Sequence, residues 1–532
     1  MGIPSYYKKL KDSVKGLIFK EKTTTTQGLY FDFNCLVYHV LHTDSVKPYP
    51  GEDGRIQWEN HLIEEVVKYV LKIVGLIQPT QEVFIAVDGV VPFAKMKQQR
   101  LRRFKSAAMA VSSTEDKWDR NSITPGTYFM ERLGARLTKL GKDNTKNGVN
   151  WLVQDASVPG EGEQKIMAYL RAKSVDALQD IVIYGLDADL IVLSLLLRQE
   201  LEPAANVALF RENIERGEMV RDGLGNETYV FLNINLLENY ILTQLGYSNG
   251  EGGARATILN YTMAMSFLGN DFLPHGLSQK MSEEGHQVLI EILTEMFREK
   301  KTIIDISEEG CPSWNKDGIV YMFGAFGSTE PNDIFRNLKK KLLSNSPVEP
   351  DSNPDFYPAE KVEYVVFDDF TRETKYLKRG WSKIYYEHWL GGYEGPTAKA
   401  AALHYFEGMQ WILNYYMGRP VSNSWYYPFT LPPLWRDLSL YMNGDHFEKA
   451  DGWKAESEEL VEPIKPQEQL AMVLPFDSWW LIRDKRLKTI PYSAPQYWPI
   501  HHKVFSVGKK WMWECEAQIP LLVIKTLRAI GR

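Results

Sequence analysis

Cysteine is scarce in this sequence: three in 532 residues, at Cys35, Cys311 and Cys515. Thiols so few and so far apart exclude a disulfide framework and a Cys-based zinc knuckle, and they suit a reducing compartment. Long apolar runs are missing too. None approaches the roughly 20 residues that span a bilayer, and the opening MGIPSYYKKLKD lacks the apolar core of a secretory signal. It also misses the myristoylation pattern, because Tyr6 stands where Ser or Thr is needed. A surplus of positive charge is absent as well: 62 Lys+Arg face 68 Asp+Glu, a net charge of −6. Taken alone, that total argues against a nucleic-acid partner. It is only a sum, and binding depends on where charges sit. What remains is an ordinary globular composition, 44% hydrophobic and 24% charged, in a chain long enough for about three to five domains.

The first part of the chain, to about residue 280, alternates strand and helix signals, which predicts an α/β fold around a mainly parallel sheet flanked by helices. Short apolar runs at 28–33, 82–88, 181–187 and 207–210 read as strands. Helical periodicity runs over 59–77, and helices are expected at 161–173, 189–199 and 255–269. Residues 344–358 are rich in Pro, Ser, Asn and Asp and read as a linker or surface loop. Beyond it, 380–436 is dense in aromatics. Residues 445–462 hold seven acids against two lysines, a pattern expected of a solvated face.

Three of the strands end in or near an aspartate: Asp32, Asp88 and Asp187. In open α/β sheets the carboxyl ends of parallel strands meet at one crevice, where ligands bind. Two acidic pairs lie nearby in sequence, Glu161/Glu163 in VPGEGEQKIM and Asp187/Asp189 in GLDADL, and Asp271 sits in the apolar FLGNDFLPH. Hard oxygen donors without His or Cys suit Mg²⁺ or Mn²⁺. Seven acids exceed the need of one such ion and suit two, flanking an in-line phosphoryl displacement. The competing reading is that strand-end aspartates cap the helices that follow them.

A basic run follows Asp88. From Lys95 to Lys105, six of eleven residues are basic and none is acidic. On a helix Lys95, Gln99, Arg102 and Arg103 share one face. An ammonium, an amide and two guanidinium forks make a receptor for a terminal phosphate. A localisation signal or a solvated basic helix are the plainer alternatives. GEGGA (250–254) reads as a loop, since no P-loop Lys-Ser/Thr follows, and His275 reads as structural.

MGIPSYY, FDFNCLVYH, AVDGVVPFAKMKQQRLRRF, NSITPGTYFM, VPGEGEQKIM, YGLDADLIVL, LFREN and FLGNDFLPH occur in this order. Together they closely resemble the conserved blocks of the Xrn-type 5′→3′ exoribonuclease family. GMQWILNYYMGRPVSNSWYYP, QLAMVLP and KKWMWECEAQIPLLVI resemble its second conserved region and its end. The resemblance implies a PIN/flap-nuclease-like core with a second, aromatic-rich region packed on it. The implied boundaries are a nuclease domain over 1–343, a linker or surface loop over 344–358, the second conserved region over 359–475, and a C-terminal segment over 476–532. It implies Mg²⁺ (or Mn²⁺), two ions, on Asp32, Asp88, Glu161, Glu163, Asp187, Asp189 and Asp271. It also implies a 5′-phosphate pocket of Lys95, Gln99, Arg102 and Arg103.

The implied activity is processive hydrolysis of single-stranded RNA with a 5′ monophosphate, giving 5′ mononucleotides. The alternatives are an inactive RNA-binding scaffold and a 5′ DNA or flap nuclease. A monomer with a functional link to decapping and no membrane partner is expected, intracellular and cytoplasmic in preference to nuclear. The chain is expected to be a minimal member of the family. It departs from the pattern in four places. Tyr38 replaces the family's usual stacking His, so Tyr38, the adjacent His39 and Trp425 are the base-stacking candidates. SNSWYYP lacks an upstream Trp, Phe93 stands at a commonly basic position, and Asn260-Tyr261 replace an acidic pair.

Overall fold

Side-chain alternation with period two organises the centre of the molecule. The structure, a computed structural model, describes residues 6–20, 25–110, 117–145, 148–173, 179–185, 187–215, 218–246, 253–281, 284–342, 377, 380–445, 447, 462–505 and 515–531. The expected linker at 344–358 and most of the acidic 445–462 stretch lie outside these residues. Seven strands form one sheet in the order β1-β9-β6-β5-β2-β3-β4. They are β1 (Ile18–Phe19), β2 (Gly28–Asp32), β3 (Glu82–Ala86), β4 (Asn150–Gln154), β5 (Asp180–Tyr184), β6 (Asn206–Glu212) and β9 (Tyr229–Asn233); β7 (Ile214–Glu215) and β8 (Glu218–Met219) make a small hairpin beside them. The run from β4 to β6 is parallel, whereas β9 and β1 add antiparallel to the β6 edge.

Along these strands Tyr30, Phe84, Ile181, Ile183 and Leu209 enter one core, while Leu29, Phe31, Val83, Ile85, Val182 and Tyr184 enter the other. Both faces are therefore apolar and must be covered. The covering helices are α1 (Tyr6–Ser13), α2 (Asn34–Val40), α3 (Arg55–Ile77), α4 (Phe93–Ala110), α5 (Tyr128–Asn144), α6 (Gly162–Arg171), α7 (Ala188–Arg198), α8 (Ile234–Gln244) and α9 (Ala254–Met265). Residues of α2, α3 and α5 bury one face, and residues of α1, α6, α7, α8 and α9 bury the other. From Asp189 to Arg198 every residue of α7 is buried, as expected of a helix apolar all round.

The sequence reading places β2, β3, β5 and β6 and omits β1, β4 and β9. The omitted strands are edge or near-edge pieces, and β1 has only two residues. None of the three is the long, bounded apolar run that marks a central strand.

The later helices are α10 (Gly285–Arg298), α11 (Lys316–Leu342), α12 (Trp381–Ile384), α13 (Glu394–Tyr416), α14 (Trp435–Asn443) and α15 (Pro466–Val473). Trp411, Trp425 and Trp435 share one core with Phe267 and Phe323. The end of the chain packs elsewhere: Leu522 and Leu527 join Leu470 and the α4 residues Phe93, Met96 and Phe104. The aromatic-rich region thus shares the core on one side of the sheet, while Tyr385, Tyr386, Ala398, Leu431 and Leu434 make a smaller cluster with Leu277 and Ile334. Among the described residues no helix is long and apolar enough to cross a membrane.

Candidate active site

Register delivers the strand-end carboxylates to one place. Asp32 pairs with Ala86 across β2 and β3, and Phe31 pairs with Tyr184 across β2 and β5. The chain leaving β3 reaches Asp88 two residues later, and the chain leaving β5 reaches Asp187 three residues later. Glu161 and Asp187 stand at the N-caps of α6 and α7, yet neither side chain makes a cap hydrogen bond. Capping therefore does not account for them. Asp88 does cap a helix, but across the sheet: it accepts the Gly162 amide of α6 at 2.7 Å. Its own amide donates to Asn34 Oδ1 at 3.3 Å.

Glycine between the two glutamates is a steric need. A Cβ at Gly162 would lie 2.7 Å from both Ala86 O and Asp32 Oδ1. The backbone of α6 passes close against two strand ends, so Glu161 and Glu163 flank a residue with no side chain. Lys165, one turn further, is buried and donates to Val87 O at 2.6 Å and Asp155 O at 3.2 Å. Burial pushes its ammonium down to about 8.

The carboxylates repel one another. Burial, then Asp88, Asp187 and Glu161, hold Asp32 well above the ordinary carboxyl range. Asp88 is raised by burial and Glu161, and Glu163 by burial, Glu161 and Asp189. Asp189 is pushed up to about 7 by burial and Asp271, and its Oδ1 is buried without a hydrogen-bond partner. Lys95 supplies the opposing charge. Its Nζ lies 2.6 Å from Asp271 Oδ2 and bonds Glu161 Oε2. Burial would lower this ammonium, but Asp271, Glu161, Glu163 and Asp189 hold it well above its usual range. Asp271 responds in kind: burial favours its neutral form, and Lys95 with Arg102 nevertheless holds it below the usual range.

Helix α4 divides its cations between two faces. Lys97 bonds the carbonyls of Tyr427 and Phe429, Arg100 those of Met472 and Tyr497, and Lys105 that of Cys515. These three fasten the later chain to the helix. On the other face Lys95 meets the acids and Arg103 donates to Thr124 Oγ1 at 2.8 Å. Gln98, rather than Gln99, reaches Asp271, at 3.4 Å. Gln99 keeps a buried Oε1 without a partner. Arg102 is half-buried.

The sequence matches the family described as XRN 5′-3′ exonuclease N-terminus over residues 1–213, and the one described as Xrn1 helical domain over 339–529. It is 28% identical to the human protein named 5′-3′ exoribonuclease 1, over 99% of this chain and 34% of that protein. It is 32% identical to 5′-3′ exoribonuclease 2 of Emericella nidulans over 50% of this chain and 31% of that protein. To the chicken protein of the same name it is 23% identical, over 99% of this chain and 69% of that one. The chain belongs to the Xrn-type 5′→3′ exoribonuclease family. It spans about a third of the length of the first of these relatives. Among solved structures, the catalytic core of Rad2 in complex with DNA substrate aligns over 74% of this chain and 97% of its own, at 12% identity and a TM-score of 0.34.

Within this Xrn-type chain the base-stacking candidates separate. Tyr38 is 39% exposed and within electrostatic reach of Arg103 on the basic face. His39 turns away. Its ring lies on Tyr69, and its Nε2 is 3.9 Å from Glu212, which also takes the Tyr69 and Tyr184 hydroxyls. Trp425 is 3% exposed with its ring stacked on Trp411, so it presents no open face for a base. Helical alternation places Tyr38 and His39 on different faces of α2, a distinction that adjacency in sequence hides.

The other departures from the Xrn pattern are structural. Asn260 accepts the amides of Ile303 and Ile304 and donates to Ile304 O. Tyr261 bonds Tyr6 and His286. Phe93 is buried against Tyr426. His275 Nδ1 pairs with Gly276 O at 2.8 Å. Three residues that matter to the site carry no signal in the sequence reading: Gln98, Lys165 and Tyr415. Tyr415 donates to Glu161 Oε1 at 2.5 Å from within an aromatic-rich helix.

The donor set fits a hard divalent cation. It is all oxygen, it includes the unpartnered Asp189 Oδ1, and its members raise one another's proton affinity. Among the described residues no three acid, histidine or cysteine side chains already close on one point. Within the cluster the Lys95 ammonium pairs with Glu161 and Asp271.

Proposed function

We propose that this chain is the catalytic part of a processive 5′→3′ exoribonuclease acting on single-stranded RNA with a 5′ monophosphate. One observation carries the reading: the phosphate-type face of α4 begins inside the carboxylate cluster, through Lys95 on Glu161 and Asp271. From Lys95 to Arg103 that face runs roughly 12 Å along the helix. Gln99, Arg102 and Arg103 take the terminal phosphate at one end. The acids act on the following phosphate at the other.

Tyr38 stacks on the first base, a contact worth about 1–3 kcal/mol that tolerates any base. Asp32, Asp88, Glu161, Glu163, Asp187, Asp189 and Asp271 are the residues that would hold divalent cations, two Mg²⁺ or Mn²⁺ in this reading. The chemistry such ions supply when bound is activation of water and stabilisation of the leaving oxygen. Water adds to the phosphorus between nucleotides one and two, and the 3′ oxygen of nucleotide one leaves. The phosphate stays on nucleotide two. Each turnover thereby recreates the 5′ monophosphate that α4 binds, which is the chemical basis of processivity. An RNA with a cap needs a decapping reaction before it can enter.

The test is one RNA carrying a 5′ monophosphate, triphosphate or cap, together with its 2′-deoxy equivalent. Degradation should be fast only for the monophosphate RNA, and Asp187→Ala should abolish it while leaving binding intact. Equal rates on all 5′ ends, or on DNA, would contradict the reading, as would wild-type activity of Asp187→Ala.

A further inference from the structure

The aromatic density of the second region hides an ordered column. Trp425 stacks on Trp411 with ring centroids 5.3 Å apart and planes 26° apart, and Trp411 stacks on Tyr415 at 4.7 Å and 20°. The hydroxyl at the end of this stack donates to Glu161 Oε1 at 2.5 Å. Each ring is braced. Trp411 Nε1 donates to Ser422 O at 2.9 Å, Phe272 packs edge-on to Tyr415, and a Cβ at Gly408 would strike Trp425 at 2.8 Å. At the same helix end Arg171 of α6 donates to Tyr416 O at 2.9 Å. Helices α6 and α13 are thus tied at two points, one of them the Glu161 carboxylate.

We propose that Tyr415 is a positioning residue that holds the Glu161 carboxylate for metal, with Trp411 and Trp425 as the rigid stack that fixes Tyr415. This rests on the reading of Glu161 as a metal-holding acid. Glu161 has two oxygens to place. Tyr415 occupies Oε1 and Lys95 bonds Oε2, so the carboxylate plane is set by partners from two separate parts of the chain. A neutral hydroxyl donor of this kind orients a ligand oxygen without opposing the ion's charge, and loss of such an outer partner typically costs metal affinity 10–100-fold. The aromatic-rich region thereby completes the carboxylate site, and Trp425 acts through Tyr415 without touching a base.

The experiment is calorimetric titration of the full chain with Mn²⁺ in the absence of RNA, for wild type, Tyr415→Phe, Glu161→Ala and the double variant. Tyr415→Phe removes one oxygen and keeps the stacked ring, and its melting temperature confirms folding. Its Mn²⁺ affinity should fall about tenfold, with KM for 5′-monophosphate RNA unchanged at saturating Mn²⁺. Added to Glu161→Ala, the same change should cost nothing further, because the acceptor is gone. Wild-type Mn²⁺ affinity in Tyr415→Phe would overturn the positioning role and leave the metal reading standing. So would a full tenfold loss in the Glu161→Ala background, the mark of a merely structural residue. Wild type that binds no Mn²⁺ would overturn the metal reading and the positioning role with it.

Discussion

The amide of Gly162 donates to the carboxylate of Asp88 at 2.7 Å, and the same glycine's Cα leaves no room for a methyl against Asp32. One residue of α6 thereby sets the spacing between two strand-end acids. Gly162→Ala should leave the protein folded but displace Asp32 or α6. A shift of about 1 Å at a reacting centre can cost about a hundredfold in rate, and kcat should drop by at least that much. Steady-state kinetics beside a melting curve checks this, and unchanged kcat would refute it.

Lys95 holds two buried acids. Lys95→Met leaves Glu161 and Asp271 without their ammonium, and breaking a buried pair in this way costs about 3–5 kcal/mol. The metal-free variant should melt lower than wild type and recover more when Mg²⁺ is added. Urea unfolding with and without Mg²⁺ measures both. A variant as stable as wild type without metal would show that the ammonium is not what balances these acids.

The two faces of α4 should separate in mutagenesis. Arg100 is buried, donates to Met472 O and Tyr497 O, and lies over the Phe104 ring. Burial pushes it down to about 9. Arg100→Met strands two carbonyls and should destabilise the fold by about 2–4 kcal/mol. Arg103→Met should instead raise KM for 5′-monophosphate RNA and erase its advantage over 5′-hydroxyl RNA, with little change in melting temperature. Identical profiles for the two variants would contradict this division.

The raised carboxyls give stability a definite pH dependence. Asp189 titrates near 7 when folded but near 4 when unfolded. Between those values the folded state binds more protons, so metal-free stability falls as pH rises from about 4 to 7. Cations and protons compete for the same oxygens. The melting-temperature gain from Mg²⁺ should therefore be several degrees larger at pH 8 than at pH 6. Equal gains at both pH values would count against these acids as the metal site.

The parallel core and the convergence of Asp32, Asp88 and Asp187 were legible because chemistry and period coincide there: a buried apolar strand ends, and a charge follows. The face of α4 was legible only in part. Helical spacing selects Lys95 and Arg103, but it cannot tell that Arg100, between them in sequence, is fastened to residues some 370 to 400 positions later. Adjacency misled at His39, whose partner Glu212 lies on β6. Tyr415 was invisible because one aromatic among many carries no mark of what its hydroxyl touches. Such long-range side-chain contacts depend on the packing of separate elements, which no local pattern encodes.

The proposed hydrolysis starts at the 5′ end and moves one nucleotide at a time. An RNA with a labelled 5′ phosphate and a distinct 3′ label measures it directly. With Mg²⁺ present, the 5′ label should appear first and only as mononucleotide, without long intermediates bearing the 3′ label. A 5′ label that appears in longer fragments, or release of the 3′ label first, would rule out 5′→3′ hydrolysis one nucleotide at a time.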